Sequence, residues 1–63
     1  MILEAVWFKD GKEVAWVDPV MNIVCYEDMK NINEIEVDNG YGWYNAEELG
    51  IEADDFIIRI KKD

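Results

Sequence analysis

The feature that most constrains the fold is a strand–turn–strand pattern at the start of the sequence, both faces of which are apolar. Residues 1–8 are apolar except for Glu4, and residues 13–17 return to a strand-forming composition. A turn signal at residues 9–12 lies between them, and Gly11 can adopt the left-handed conformation that closes a hairpin. The pattern therefore predicts an antiparallel β-hairpin.

Two registers of this hairpin fit the sequence. A two-residue loop places Lys9 opposite Lys12, whereas a three-residue loop with Gly11 at a bulge places Phe8 opposite Lys12. The second register avoids a like-charge pair and is favoured for that reason. It assigns one face to Ile2, Val6, Phe8, Val14 and Trp16, and the other face to Leu3, Ala5, Trp7, Ala15 and Val17.

Two apolar faces on one hairpin need two covers, since a free-standing antiparallel sheet normally has one polar face. The hairpin is either enclosed in a curled barrel formed by the rest of the chain or covered by a second chain. The sequence leaves both alternatives open. In the second case, the residues predicted to mediate self-association are Leu3, Ala5, Trp7 and Val17.

Three further strands are predicted after the hairpin. Pro19 ends the second strand because it lacks a backbone N–H donor, and the β-branched run 23–26 forms the third. Residues 34–38 alternate carboxylates with Ile35 and Val37, which indicates a half-buried fourth strand with an acidic outer side. The run 56–60 forms the last strand.

A rival interpretation places part of this region in a helix. Met29, Ile32 and Ile35 have helical spacing after Asp28. Two asparagines and several β-branched residues make that helix unfavourable, so the strand is preferred.

A turn at 38–40 leads to an aromatic segment at 41–44, after which Asn45 caps a short helical turn that Gly50 ends. These elements predict a single small acidic domain over residues 1–63 that is mainly β, or α+β at most. We expect a five-stranded antiparallel mini-barrel or curled sheet, SH3-like or OB-like, with one short helical turn before the last strand.

The residues needed for catalysis are scarce. The sequence has no His, Ser or Thr, and its lone Cys25 lies in an apolar strand, where it is interpreted as a small core residue. Paired carboxylates could hydrolyse a glycoside, but a 63-residue domain seldom forms the cleft this reaction needs. We therefore expect no enzyme, no catalytic residue and no cofactor.

A dedicated metal site is not predicted either. Glu34, Glu36 and Asp38 alternate as oxygen ligands do in a calcium loop. Counting from Glu34, however, puts Asn39 at the sixth place, where glycine is needed, and Asn45 at the twelfth, where a bidentate acid is needed.

The net charge of −9, from 15 acidic and 6 basic residues, repels nucleic acid and anionic lipid and attracts cationic surfaces. We therefore expect no direct nucleic-acid or membrane binding. The apolar fraction of 51% is too high for a disordered acidic tail. A single cysteine and the lack of a signal-like or membrane-spanning stretch predict a soluble cytoplasmic protein, in the host-cell cytoplasm if its source is viral.

Residues 31–58 contain eight carboxylates and no Lys or Arg, and they surround Tyr41, Trp43 and Tyr44. Such a mixture of aromatics with Gly and Asn is favoured in binding surfaces. Core packing is the competing explanation, and it applies first to Trp43. The residues predicted to bind a partner are Glu34, Glu36, Asp38, Tyr41, Tyr44, Asp54 and Asp55.

Two functional hypotheses follow. The leading one is an acidic inhibitor or adaptor that docks a negative, aromatic-anchored face on a basic surface of a partner protein, such as a surface that holds nucleic acid. Small phage-encoded proteins that block host or defence enzymes are similar in size and charge. The alternative is a homo-oligomeric assembly protein that uses the apolar hairpin as its interface.

Overall fold

The computed structural model describes residues 1–25 and 31–62, which form two small antiparallel sheets. The first sheet has the order β2-β1-β6 and the second β3-β4-β5. The strands are β1 (Leu3–Lys9), β2 (Lys12–Val17), β3 (Asn22–Val24), β4 (Glu36–Asp38), β5 (Trp43–Tyr44) and β6 (Asp55–Ile60), and a 3₁₀ turn spans Ile32–Glu34. The predicted mainly β class is confirmed.

The predicted count of five strands is wrong, and no closed barrel forms among the described residues. The additional strand is β5, which pairs with β4 through Val37↔Tyr44 and Asp38↔Trp43. No strand is predicted for the aromatic segment at 41–44. It is the return strand of a hairpin because the turn at 38–42 reverses the chain directly after β4.

Several predicted element limits shift in the structure. Glu34 lies in the 3₁₀ turn rather than in the fourth strand, and Asn31 caps that turn by accepting a hydrogen bond from Asn33 N at 2.9 Å. The third strand ends at Val24, and its predicted last residue, Tyr26, lies outside the described residues. So do residues 28 and 29, with which the rival helix would begin.

The first hairpin has the register that the sequence disfavoured. Lys9 pairs with Lys12 across a two-residue loop in which Asp10 and Gly11 have φ of 53° and 80°. Two left-handed residues give the loop the twist that antiparallel strands need. Repulsion between two lysines at a solvent-exposed turn is too weak to override that geometry.

A bulge corrects the alternation of side chains farther along the hairpin. Phe8 pairs with Glu13 but Trp7 pairs with Ala15, so Val14 is the extra residue. Ala5, Trp7, Ala15 and Val17 consequently share one face, as predicted.

That face packs against the second sheet and forms the core. Trp7 is completely buried, and its ring lies 5.1 Å from that of Phe56 at an interplanar angle of 57°. The buried cluster consists of Ala5, Trp7, Val17, Val37, Ala46 and Ala53. One face of the hairpin is therefore covered by the rest of the same chain.

This packing corrects the predicted self-association surface. Ala5 and Trp7 have no exposed area, and Val17 is 7% exposed. Of the four predicted residues, only Leu3 reaches the surface. The other three are core residues and are not accessible to a second chain.

The opposite face of the first sheet lies toward solvent, and its own side chains bury only its centre. Val6 pairs with Trp16 on one side and Ile57 on the other, and it is completely buried. Arg59 spans the same face, with Nε 2.6 Å from Glu4 Oε1 and Nη1 2.7 Å from Glu13 Oε1. Hydrogen bonds to Glu13 and then Glu4 raise the pKa of Arg59 above its ordinary value.

The helical turn predicted before the last strand is a single hydrogen-bonded turn at residues 46–50. Asn45 Oδ1 accepts from Glu48 N at 2.8 Å, as expected of its cap. Gly50, at φ 72°, ends the turn because its N–H and that of Ile51 donate back to the carbonyls of residues 47 and 46. The turn is too short to count as a helix.

Candidate functional site

The outer face of the second sheet carries the candidate site. Pairing of Asn22 with Asp38 and of Asp38 with Trp43 places these side chains on one face, and Glu36 lies on the same face. The neighbouring residues Val37 and Tyr44 point the other way, toward the core. We call the surface formed by Glu36, Asp38, Tyr41 and Trp43 the acidic-aromatic face.

Two side chains fix the turn that joins β4 to β5. Asp38 Oδ1 accepts from Gly40 N at 2.9 Å, and its Oδ2 accepts from Asn22 Nδ2 at 3.1 Å. Asn39 Oδ1 accepts from Tyr41 N at 2.9 Å and from Gly42 N at 3.2 Å. Short polar side chains that bond to the backbone two or three residues later hold such a turn in one conformation.

The turn presents an aromatic side chain to solvent. Tyr41 is 92% exposed, and Trp43 is 45% exposed beside Asp38. Met21, which is also exposed, lies against the backbone of Gly40. The face therefore combines accessible apolar area with two carboxylates.

The cations of the described residues that form ion pairs lie on or next to the first sheet. Arg59 binds Glu4 and Glu13, and Lys61 Nζ lies 3.2 Å from Asp18 Oδ1. The second sheet contains no Lys or Arg. Within residues 1–25 and 31–62, its carboxylates form no ion pair.

The aromatic residues occupy different positions from those predicted. Trp43 was expected in the core, but it is exposed, and Tyr44 packs against the core instead. Successive residues of a strand point to opposite faces, so pairing of Tyr44 with the buried Val37 decides which one is inside. A predicted β4–β5 hairpin would have revealed this from the sequence.

The structure does not bring all the predicted carboxylates together. Glu36 and Asp38 share the acidic-aromatic face, and Glu34 lies in the preceding 3₁₀ turn. Asp54 and Asp55 lie by the tip of the first hairpin, where Asp54 Oδ2 accepts from the backbone N of residue 10 at 3.1 Å. They belong to the other sheet and are not part of this face.

Sequence reasoning missed one residue of this face and two residues next to it. Trp43 was assigned to the core, and Asn22 and Met21 were not considered for it. Met21 precedes β3, and its N–H donates to Asp38 O at 2.8 Å. The β3–β4 pairing places both residues here, and the sequence pattern alone gives no register for that pair.

The remaining chemical groups of the described residues add no second site. Cys25 is exposed at the end of β3, which corrects its assignment to the core. Residues 1–25 and 31–62 contain no cluster of three or more potential metal ligands. No helix in these ranges is long and apolar enough to cross a membrane.

Comparison with known proteins gives no match to a protein-family model, a curated protein or a solved structure. The functional interpretation of this chain therefore depends on its own geometry and charge.

Proposed function

We propose that the chain is a small acidic protein-binding module that docks its acidic-aromatic face on a basic surface of a partner protein. The single observation that carries this proposal is the position of Tyr41. This residue is 92% exposed on a turn fixed by backbone N–H groups that donate to the side-chain oxygens of Asp38 and Asn39. A large aromatic held out of the core in this way contributes little to folding.

Preorganisation makes Tyr41 suitable as an anchor. A rigid aromatic side chain supplies contact area while losing little conformational entropy on binding. Trp43, in the same sheet, and Met21, the residue preceding that sheet, are further exposed apolar side chains. Tyr and Trp are also the residues that most often dominate the binding energy of an interface.

Charge supports a basic partner. The net charge is −9, and residues 31–58 contribute eight carboxylates without any cation. Such a field accelerates encounter with a cationic surface and disfavours acidic ones. Surfaces that normally hold nucleic acid have this cationic character, so we propose an inhibitor that mimics nucleic acid, of the kind phages encode, or an adaptor.

We also propose that the two sheets are an open variant of the SH3-like architecture rather than an OB-like one. Only residues 18–21 separate β2 from β3, and these two strands lie in different sheets. The chain thus passes from one sheet to the other at residues 18–21, and the turn at 46–50 precedes the last strand. Architecture of this kind does not assign a function, and the proposal above does not depend on it.

Quantitative affinity capture from lysate of the source cell tests the function. The bait is the whole chain, compared with a face variant, Glu36→Gln with Asp38→Asn. The matched control is Glu47→Gln with Glu48→Gln, which removes the same two charges from the exposed turn at 46–50. Asn at position 38 retains an oxygen that can accept from Gly40 N, so the turn is preserved.

The proposal expects a basic protein that the wild-type chain and the control variant retain and that the face variant loses. Tyr41→Ala should lose the same protein. Equal retention by the face and control variants would show that the acidity is only a property of the whole surface. The self-assembly hypothesis through Leu3, Ala5, Trp7 and Val17 loses three of its four residues to the core.

A further inference from the structure

Strand β6 is an edge of the first sheet, and one side of it is unpaired among the described residues. It pairs with β1 on the other side, and Lys61 N donates to Ile2 O at 2.7 Å. Residues that bond to the neighbouring strand alternate along an antiparallel ladder. Counting back from Lys61, the backbone groups of Ile60, Ile58 and Phe56 face away from β1.

This edge lacks the usual protection against pairing. Edges are normally blocked by charged side chains, proline or bulges. Strand β6 contains two charged residues. The side chain of Arg59 reaches over the sheet to Glu4 and Glu13 and leaves the edge open, and Asp55 is the first residue of the strand. The inner face near the edge is also apolar and uncovered, with Leu3, Ile58 and Ile60 at 38%, 38% and 58% exposure.

The charges around β6 are polarised along the strand. Its beginning is acidic, with Glu52, Asp54 and Asp55. Its end is basic, with Arg59, Lys61 and Lys62. A second strand with an acidic start and a basic end, paired antiparallel to β6, places its basic end opposite the acidic start of β6 and its acidic start opposite the basic end. Another copy of β6 has that sequence and that direction.

We propose that two copies of this chain pair β6 with β6 in the antiparallel direction, about a two-fold axis at Ile58. The axis places Ile58 opposite Ile58 of the second copy and Phe56 opposite Ile60 of the second copy. These are the residues whose backbone groups face outward, so the register pairs the outward donors and acceptors of both strands. The N–H of Phe56, which donates to Asp55 Oδ1 at 2.8 Å in the single chain, exchanges that bond for one to the second copy. The result is one continuous six-stranded sheet with an isologous interface.

The same register pairs the charges and the apolar side chains. Asp55 lies opposite Lys61 of the second copy, and it does so twice because of the two-fold symmetry. Phe56, Ile58 and Ile60 meet their counterparts on the inner face, next to Leu3. The interface is small, so the dimer is weak and concentration-dependent. It leaves the acidic-aromatic face, which lies on the other sheet, free for a partner.

Sedimentation equilibrium of the whole chain, up to about 1 mM because edge pairing is weak, tests this proposal. The wild-type chain should form a dimer reversibly, and amide hydrogen exchange at Ile58 and Ile60 should slow as the concentration rises. Ile58→Lys should abolish both effects. Its control is Ile23→Lys, because Ile23 is 39% exposed on another edge strand, and this variant should still dimerise.

Charge exchange identifies the register. Asp55→Lys should weaken the dimer roughly tenfold, since two attractive cross-strand pairs become repulsive. Adding Lys61→Asp to that variant should restore the affinity. A wild-type chain that stays monomeric over the whole range overturns the proposal, and so does an Ile58→Lys variant that is folded and dimerises like the wild type.

Discussion

At the scale of single residues, Trp7 is the largest completely buried side chain, and it joins the two sheets. Its Nε1 is buried and has no hydrogen-bond partner among the described residues. Trp7→Phe leaves a cavity beside a smaller ring, and removal of the unpaired donor offsets part of that cost. We therefore expect a loss of about 1–3 kcal/mol in unfolding free energy, against about 3–5 kcal/mol for Trp7→Ala.

Chemical denaturation followed by circular dichroism measures the effect of these changes. Trp16→Phe is the control, because Trp16 is 61% exposed, and its unfolding free energy should change by less than about 0.5 kcal/mol. Equal effects at the two positions would mean that Trp7 does not occupy the core.

Alanine substitutions at Gly50 and Gly42 distinguish the effect of backbone strain from that of steric crowding. Gly50 has φ 72°, and a Cβ there would have no neighbour within 4 Å. A Cβ on Gly42 would lie 3.7 Å from Tyr44 Oη in ordinary contact, and its φ is outside the left-handed region. Gly50→Ala should therefore lower the unfolding free energy by about 1 kcal/mol because of φ alone. Gly42→Ala should not. Thermal unfolding of both variants measures this difference. A larger loss of stability in Gly42→Ala than in Gly50→Ala would contradict the prediction.

Residue burial was predictable only where alternation fixes it. The sequence placed Trp7 and Val17 on one face of the hairpin correctly because the bulge at Val14 preserves that alternation. It exchanged Trp43 and Tyr44, because which of two successive aromatics is inside depends on the strand they pair with. The sequence pattern also predicted that Cys25 is buried, but Cys25 is exposed just after the end of a short strand.

At the scale of elements, Asn33 attaches the 3₁₀ turn to the segment before β6. Its Oδ1 accepts from Ala53 N at 2.7 Å, and its Nδ2 donates to Ala53 O at 3.1 Å, as a paired backbone would. Ala53 is 6% exposed, so loss of the amide leaves a nearly buried N–H and C=O unpaired. Asn33→Ala should therefore cost about 1–3 kcal/mol in unfolding free energy.

Asn33→Asp distinguishes the two bonds. The aspartate keeps an acceptor for Ala53 N, but it loses the donor to Ala53 O and places a charge next to Asn31 Oδ1. Amide exchange at Ala53 should remain slow in Asn33→Asp and become fast in Asn33→Ala. Equal protection of this amide in all three proteins would contradict the docking role of Asn33.

The hairpin loop makes a second prediction at this scale. Lys9 lies opposite Lys12, so Lys9→Glu converts a repulsive cross-strand pair into an attractive one. We expect a gain of about 0.2–1 kcal/mol in unfolding free energy, measured by denaturation at low salt and reduced at high salt. A loss of stability, or a gain that is unaffected by salt, would argue against this register.

The same loop shows why element type was more predictable than register. The turn composition at 9–12 predicts a hairpin, but the choice between a two-residue and a three-residue loop depends on backbone twist. A weak charge repulsion was the wrong criterion. Strand β5 was not predicted because two residues are too few to show an alternating pattern. It is defined only by the turn at 38–42 and by its pairing with β4.

At the scale of the whole molecule, two sheets enclose one core and leave different surfaces outside. The second sheet presents the acidic-aromatic face, and the ion-paired cations of the described residues lie on the first sheet or directly after it. The sequence predicted a mainly β domain with a negative surface. It did not predict that Asp54 and Asp55 lie on the other sheet from Glu36 and Asp38, because that separation depends on which strands share a sheet.

The most direct test of the proposed function is the association rate constant with the partner identified by capture, measured at increasing ionic strength. The wild-type rate should fall steeply as salt screens the acidic-aromatic face. Glu36→Gln with Asp38→Asn should lower the rate at low salt and flatten its salt dependence, whereas Glu47→Gln with Glu48→Gln should retain most of both. An association rate that does not change with ionic strength would contradict the electrostatic docking of this face.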